Sequence, residues 1–363
     1  MGRALQIGKI AGIRILIHWT FLLLLAWIVF SEMGKGSNTA TILSTIAFVL
    51  TIFFCVLLHE LGHSLTAKRY GIETKKITLL PIGGVASLER IPEDPKQELW
   101  VALAGPAVNV VIALILFPFV PKDQLFINET FAGIATGEGF LYSLFRVNVA
   151  LVLFNAIPAF PMDGGRVLRA LLALRMGRLR ATQIAANLGQ FLALGFVFFG
   201  LTNGNPMLVL IGIFVYFGAR SENVMVQHSE LLKDFTVQSA MMTNFVSLNP
   251  NDTVKDAADK LLSGSDQDLI VVDNDEAIGI MTRSVIIDSL RANRLQAPVT
   301  EVMERNFDTV AIYDRLIEVY AHAQRRKNAF YPVVEAKGSN KLRGVIDMNN
   351  IQEFVMIRSA MSY

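Results

Sequence analysis

His59-Glu60-Leu61-Gly62-His63 is the spacing with the clearest chemistry in the chain. A helix brings residues i and i+4 onto one face, so both imidazoles would aim at one metal ion, with Glu60 projecting beside it. Zinc held by two imidazoles and one oxygen donor keeps a fourth position for water and lowers that water's pKa towards neutrality. Glu60 is then placed to take the water's proton and later hand it to the leaving amine. The same pattern occurs by chance in helices that bind no metal. Here it sits in a long apolar run, where an ionisable residue signals function by default.

A third donor is needed. Of the 5 histidines in the chain, His228 and His322 lie outside the apolar region, and His18 beside Trp19 suits an interfacial position. The run Asn155-Ala-Ile-Pro158-Ala-Phe-Pro161-Met-Asp163-Gly164-Gly165-Arg166 has two prolines and two glycines that should unwind any helix. Broken backbone at membrane depth is tolerated only where protein buries it or it lines a cavity. Asp163, at the end of this run, is the best oxygen donor. Its alternative is a cap on the helix that starts near Arg166. Cys55, one turn before His59, suits a small packing residue, and a lone cysteine forms no intrachain disulfide.

The elements that must hold these groups follow from composition. The chain has 363 residues, 53% hydrophobic and 18% charged, with mean hydropathy +0.45, which disfavours both an ordinary soluble protein and a disordered one. Residues 1–222 hold 18 Lys/Arg against 12 Asp/Glu, and residues 223–363 hold 15 against 19. This is the pattern of a membrane domain followed by a soluble, acidic one; neither half has the positive field that nucleic-acid binding requires. Apolar runs predict six membrane spans, at about 15–31, 42–67, 97–120, 140–160, 183–201 and 205–222. Arg3, Lys9 and Arg14 before the first resemble a signal-peptide start, but no small-residue cleavage site follows Phe30, so a retained helix is expected. The segments that would share the amino-terminal side carry 15 Lys/Arg, whereas the opposite loops carry Lys35 and Lys122. Both termini are therefore expected in the cytoplasm of a cell whose inner or plasma membrane holds the chain. Residues 72–90, β-branched and punctuated by Pro81, Gly83 and Gly84, predict short strands around a turn at the cytoplasmic face.

The soluble part repeats a β-α-β-β-α order with a period of about 60 residues. The pair resembles tandem cystathionine-β-synthase (CBS) domains, a module that commonly senses adenosine nucleotides. That resemblance implies ATP or another adenosine nucleotide as ligand, and it is compatible with a homo-oligomer formed through the pair. The usual G-h-h-[ST]-x-x-[DN] signature is met only in halves: Gly279 and Thr282 are followed by Val285, and Gly344 by Asp347 and Asn350. A dimerisation or docking module is the alternative.

In the membrane region, His59 to His63, the set Asn155, Pro158, Asp163 and Gly164, and Gly105-x-x-x-Asn109 together resemble the site-2 proteases, intramembrane zinc metalloproteases. With the CBS pair, the chain is similar to the six-span sporulation-type processing subgroup. The resemblance implies one zinc per chain on His59, His63 and Asp163, with Glu60 as general acid/base. It also implies that Asn109 and Asn155 help hold the substrate carbonyl. A polar helix-packing contact beside Gly105 is the alternative for Asn109. The segment with Gly83 and Gly84 would pair with an unwinding substrate, since a transmembrane helix must extend before it can be cut.

The fold class expected is thus a polytopic α-helical membrane domain with a small cytoplasmic-face β segment, followed by a soluble α/β tandem CBS domain. The domains are a metalloprotease domain over 1–222, a linker over 223–236, and CBS repeats over 237–296 and 297–363. The expected partners are the lipid bilayer and a transmembrane or membrane-associated protein substrate, cut near the cytoplasmic face in regulated intramembrane proteolysis. By family analogy the substrate is an anti-sigma factor, a pro-sigma factor or a remnant signal peptide. The alternatives are a divalent-metal transporter gated by its CBS pair and an inactive membrane scaffold. Transport has no evident use for Glu60, and the intact His, Glu and Asp set weakens the scaffold.

Overall fold

A computed structural model describes residues 4–81, 83–88, 92, 94–120, 137–264, 268–324, 330–336, 338–339 and 341–361. The chain divides into two compact units, Met1–Val224 and Met225–Tyr363.

The first unit opens with a hairpin, β1 (Ala4–Ile10) and β2 (Ile13–His18), followed by helix α1 (Thr20–Gly34). The expected first span is corrected here. Its leading residues form β2, because Ile13-Arg-Ile-Leu-Ile-His alternates and pairs with the later strand β3 (Thr74–Leu80) in parallel, Ile15 opposite Ile77. With β4 (Gly83–Leu88) antiparallel to β3, the sheet has the order β1-β2-β3-β4. The strands expected in 72–90 are present, and the amino-terminal hairpin that extends them escaped the sequence reading.

Helix α2 (Thr39–Arg69) begins where the Asn38 side chain accepts from the Thr41 amide at 2.8 Å, and ends on Lys68 and Arg69, which suit a helix C-terminus. Ile13, Ile15, Ile77 and Leu79 from the sheet pack with Leu57 and Leu61 of α2. This contact sets the rotation of the helix about its axis, and so which way His59 and His63 point. Helices α3 (Pro95–Leu116), α4 (Gly137–Asn155), α5 (Asp163–Met176) and α6 (Arg178–Thr202), with α7 (Pro206–Leu232) as far as Val224, complete the unit.

Among the described residues, Thr39–Arg69, Pro95–Phe119, Arg178–Thr202 and Pro206–Leu232 are long and apolar enough to cross a membrane. Two further apolar helices, Thr20–Gly34 and Gly139–Asn155, are shorter, so six helices stand where six spans were expected. Lys122, one of the two cations assigned to the opposite loops, lies outside the described residues. Only 22% of the apolar window of Thr39–Arg69 is buried by protein, and Phe30, Phe191, Phe198 and Phe199 are exposed, as expected of side chains that face lipid.

The second unit holds two three-stranded sheets. The first has the order β5 (Ser247–Leu248), β6 (Asp268–Asp273), β7 (Glu276–Thr282), with helices α8 (Val254–Ser263), α9 (Arg283–Arg291) and the single turn α10 (Val299–Val302). The second joins β8 (Val310–Ala311), β9 (Phe330–Val334) and β10 (Leu342–Asp347), with α11 (Leu316–Ala323) and α12 (Met348–Met361). The repeats exchange their leading segments. Leu232 and Val237 enter the core of the second sheet, while Val299 and Met303 enter that of the first. Met242 and Val345 share backbone hydrogen bonds, as do Ile280 and Glu304. The stretch 223–236 expected as a linker is helical as far as Leu232.

Candidate metal centre

His59 and His63 lie one turn apart on α2, both buried. Between α4 and α5 the Pro158 to Pro161 stretch leaves helical geometry, held by short turns in which the Ala159 amide bonds the Ile157 carbonyl and the Met162 amide bonds that of Ala159. The chain re-enters helix at Asp163. Met162 occupies the N-cap position, and the Asp163 side chain turns instead towards α2.

Asp163 Oδ2 lies 3.1 Å from His59 Nε2 and 3.1 Å from His63 Nε2, and the two Nε2 atoms are 3.1 Å apart. Donors around a four-coordinate zinc, with bonds of about 2.0–2.1 Å, stand roughly 3.3 Å apart. This triangle of two neutral nitrogens and one carboxylate oxygen therefore fits zinc in both chemistry and spacing. Among the described residues it is the group of three His, Cys, Asp or Glu side chains able to converge on one ion.

The other ring nitrogens are also engaged. His63 Nδ1 lies 2.7 Å from the Val101 carbonyl of α3. A carbonyl only accepts, so this nitrogen carries the proton and Nε2 keeps its lone pair for the ion. His59 Nδ1 lies 2.5 Å from Asn109 Oδ1. Gly105 of α3 sits directly under the triangle: a Cβ there would come 2.7 Å from His59 Nε2, and nearer still to His63 Nε2.

Glu60 lies against the sheet, where Gly84 of β4 passes so close that a Cβ would come 2.6 Å from Glu60 Cγ. β4 is the terminal strand of its sheet, so its outer edge has backbone groups unpaired within that sheet.

Asn109 and Asn155 were expected at the substrate carbonyl. Asn109 is fully buried, and both ends of its amide are committed: Oδ1 to His59 and Nδ2 to Asn148 Oδ1 at 2.9 Å. Asn155 closes α4 with its amide donating to the Leu151 carbonyl at 3.0 Å. Cys55 is buried, with Asn148 Nδ2 3.7 Å from its sulfur, and His18 bonds Thr20 Oγ1 at 2.8 Å.

Sequence reasoning missed the anchor of the Asp163 helix. Arg169, six residues on, is fully buried against the ring of Phe160 and donates to Glu98 of α3 and to Glu222 of α7, the latter at 2.8 Å. Three charged residues scattered over 124 positions give no local signal of such a cluster, although an arginine and a glutamate close to predicted spans were reason to look for partners.

Peptidase family M50 matches residues 47–133 and 123–196, and the CBS domain family matches 233–292. A zinc metalloprotease of Methanocaldococcus jannaschii is 39% identical over 279 residues, covering 77% of this chain and 78% of its own. A relative of the same zinc-metalloprotease naming in Synechocystis is 29% identical over 363 residues, 93% of this chain and 92% of its own. A solved site-2 protease of M. jannaschii is 42% identical, covers 61% of this chain and 95% of its own, and superposes with a TM-score of 0.45.

Proposed function

The chain belongs to peptidase family M50, the site-2 proteases, and from that premise we propose that it is a zinc-dependent intramembrane endopeptidase acting on transmembrane or membrane-associated proteins near the cytoplasmic face, in regulated intramembrane proteolysis. The observation that carries this reading is the convergence of His59, His63 and Asp163 on one point, with Glu60 on the same helix as the two imidazoles.

His59, His63 and Asp163 would hold the ion, whose chemistry there would be to acidify a water and polarise a peptide carbonyl. Glu60 accepts one proton from the attacking water and returns it to the amide nitrogen as the peptide bond breaks, so water is consumed and an acid and an amine leave. The outer edge of β4 offers backbone donors and acceptors to a substrate segment that has lost its helical hydrogen bonds, which places the extended segment beside Glu60. Packing of Gly84 on Glu60 keeps that strand close to the carboxylate.

In this reading residues 1–222 are the protease domain. Both termini face the cytoplasm, in keeping with the excess of Lys/Arg on that side. A metal transporter draws no support from the relatives. The CBS pair, with repeats expected over 237–296 and 297–363, is a regulatory module that takes an adenosine ligand. Its polar groups constrain that ligand. Thr282 caps α9 and donates to Glu304, and Asp347 with Asn350 caps α12 reciprocally. Burial pushes the Asp268 carboxyl above its ordinary range, the Arg283 amide pulls it back, and the carboxylates of Asp347 and Glu304 push it further. The Arg283 side chain adds a cation to the same neighbourhood, and calorimetry with adenosine and with ATP reads which of the two the pair takes. Absence of heat with either would leave the pair as a docking or dimerisation module.

The deciding experiment pairs zinc content with cleavage of a transmembrane reporter. Glu60→Gln should retain about one zinc per chain while cleavage falls by about 10²–10⁴-fold. A variant that still cleaves at the wild-type rate removes Glu60 as the base.

A further inference from the structure

The imidazole of His59 must present Nε2 as a lone pair, and a neutral imidazole can carry its proton on either nitrogen. What selects the tautomer is legible from the hydrogen bonds behind the ring. Asn148, on α4, is fully buried and lies in no motif of the metal centre. Its Nδ2 donates to the Leu144 carbonyl at 2.9 Å, and its Oδ1 accepts from Asn109 Nδ2 at 2.9 Å. Asn109 Oδ1 in turn lies 2.5 Å from His59 Nδ1.

This chain has only one consistent direction. The Leu144 carbonyl can only accept, so Asn148 must turn its NH₂ towards it and its oxygen towards α3. Asn109 must then donate to Asn148, which turns its own oxygen towards His59. Nδ1 therefore has to be the protonated nitrogen, leaving Nε2 as a donor to the ion. We propose that Asn148 is a positioning residue for the metal centre: acting through Asn109, it fixes the tautomer and ring orientation of His59 by an amide relay that runs from α4 through α3 to α2. The proposal rests on the zinc-site reading above.

A carboxylate behind the histidine, common in soluble zinc sites, would bring another buried charge to a region shielded from water. Two neutral amides do the orienting without that cost. Without Asn148 the Asn109 NH₂ is left unpaired at full burial, and the amide can flip to present its NH₂ to His59, which favours the wrong tautomer.

The test is a double-mutant cycle on the full-length protein in detergent, read as zinc affinity against a competing chelator. The unfolding midpoint of each zinc-free variant serves as the folding control. Asn148→Leu and Asn109→Leu should each weaken zinc binding about 10–100-fold. The double variant should be no weaker than the worse single, because a relay broken once is not broken further. Asn109→Asp combined with Asn148→Leu, which keeps an acceptor at His59 Nδ1 and removes the oxygen that would face the carboxylate, should restore affinity to within about threefold of wild type. Should Asn148→Leu not fold, Asn148→Ser, too short to reach Asn109, takes its place with the same expectation. A folded Asn148 variant with wild-type zinc affinity, or full additivity in the cycle, overturns the relay while leaving the zinc site standing. A wild-type protein that takes no zinc overturns the site and the relay together.

Discussion

Gly105 leaves no room for a side chain, because the smallest one would occupy the space in which the two imidazole nitrogens converge. Gly105→Ala should therefore fold, since α3 gains a better helix former, yet lose zinc affinity by about tenfold or more as the rings are pushed apart. Zinc content measured beside the unfolding midpoint separates the two effects; a Gly105→Ala protein with full zinc would mean that the backbone gives way at no cost to the site. This glycine was legible only as part of a spacing, G-x-x-x-N, without its reason. His59, Glu60 and His63 stood out because their relation is local, four residues along one helix. Asn148 was missed because a polar residue inside an apolar span has no partner that a sequence can name. Asn109 was singled out, but its bond to His59 was not legible, because sequence shows that an amide is present and not which way its two ends turn.

At the scale of elements, α5 is fixed by Arg169, and Asp163 of the candidate metal centre sits at the head of the same helix. Glu98, 3% exposed, would be left as an uncompensated buried charge if the guanidinium were removed. Arg169→Met should cost about 3–5 kcal/mol of stability, seen as a lower unfolding midpoint in detergent. Adding Glu98→Gln should recover part of that loss. If Arg169→Met unfolds at the wild-type temperature, the cluster does not hold α5. The strands flanking Pro81 were predictable from β-branched residues and turn signals. The β1–β2 hairpin was not, because its apolar residues run straight into those of the first span, and hydropathy alone cannot find the boundary at His18.

For the whole molecule, the two compact units predict separable behaviour. Deleting residues 233–363, which leaves α7 whole to Leu232, should preserve zinc content within error while changing the rate or choice of cleaved reporter. Loss of zinc on truncation would show that the membrane unit depends on the soluble one. Sequence by itself determined the class of this protein, a membrane metalloprotease with a duplicated soluble module. Apolar runs of span length, a helical metal motif and an internal repeat are all relations between near neighbours, and near neighbours are what periodicity reports. The tertiary structure decided the rest: that Asp163 turns to two histidines on another helix, that Arg169 joins α3, α5 and α7, and that the soluble repeats exchange their leading segments. These are contacts between residues tens to more than a hundred positions apart. They exist only because close packing and the need to satisfy every buried polar group select one arrangement of the elements from the many that the same local pattern allows.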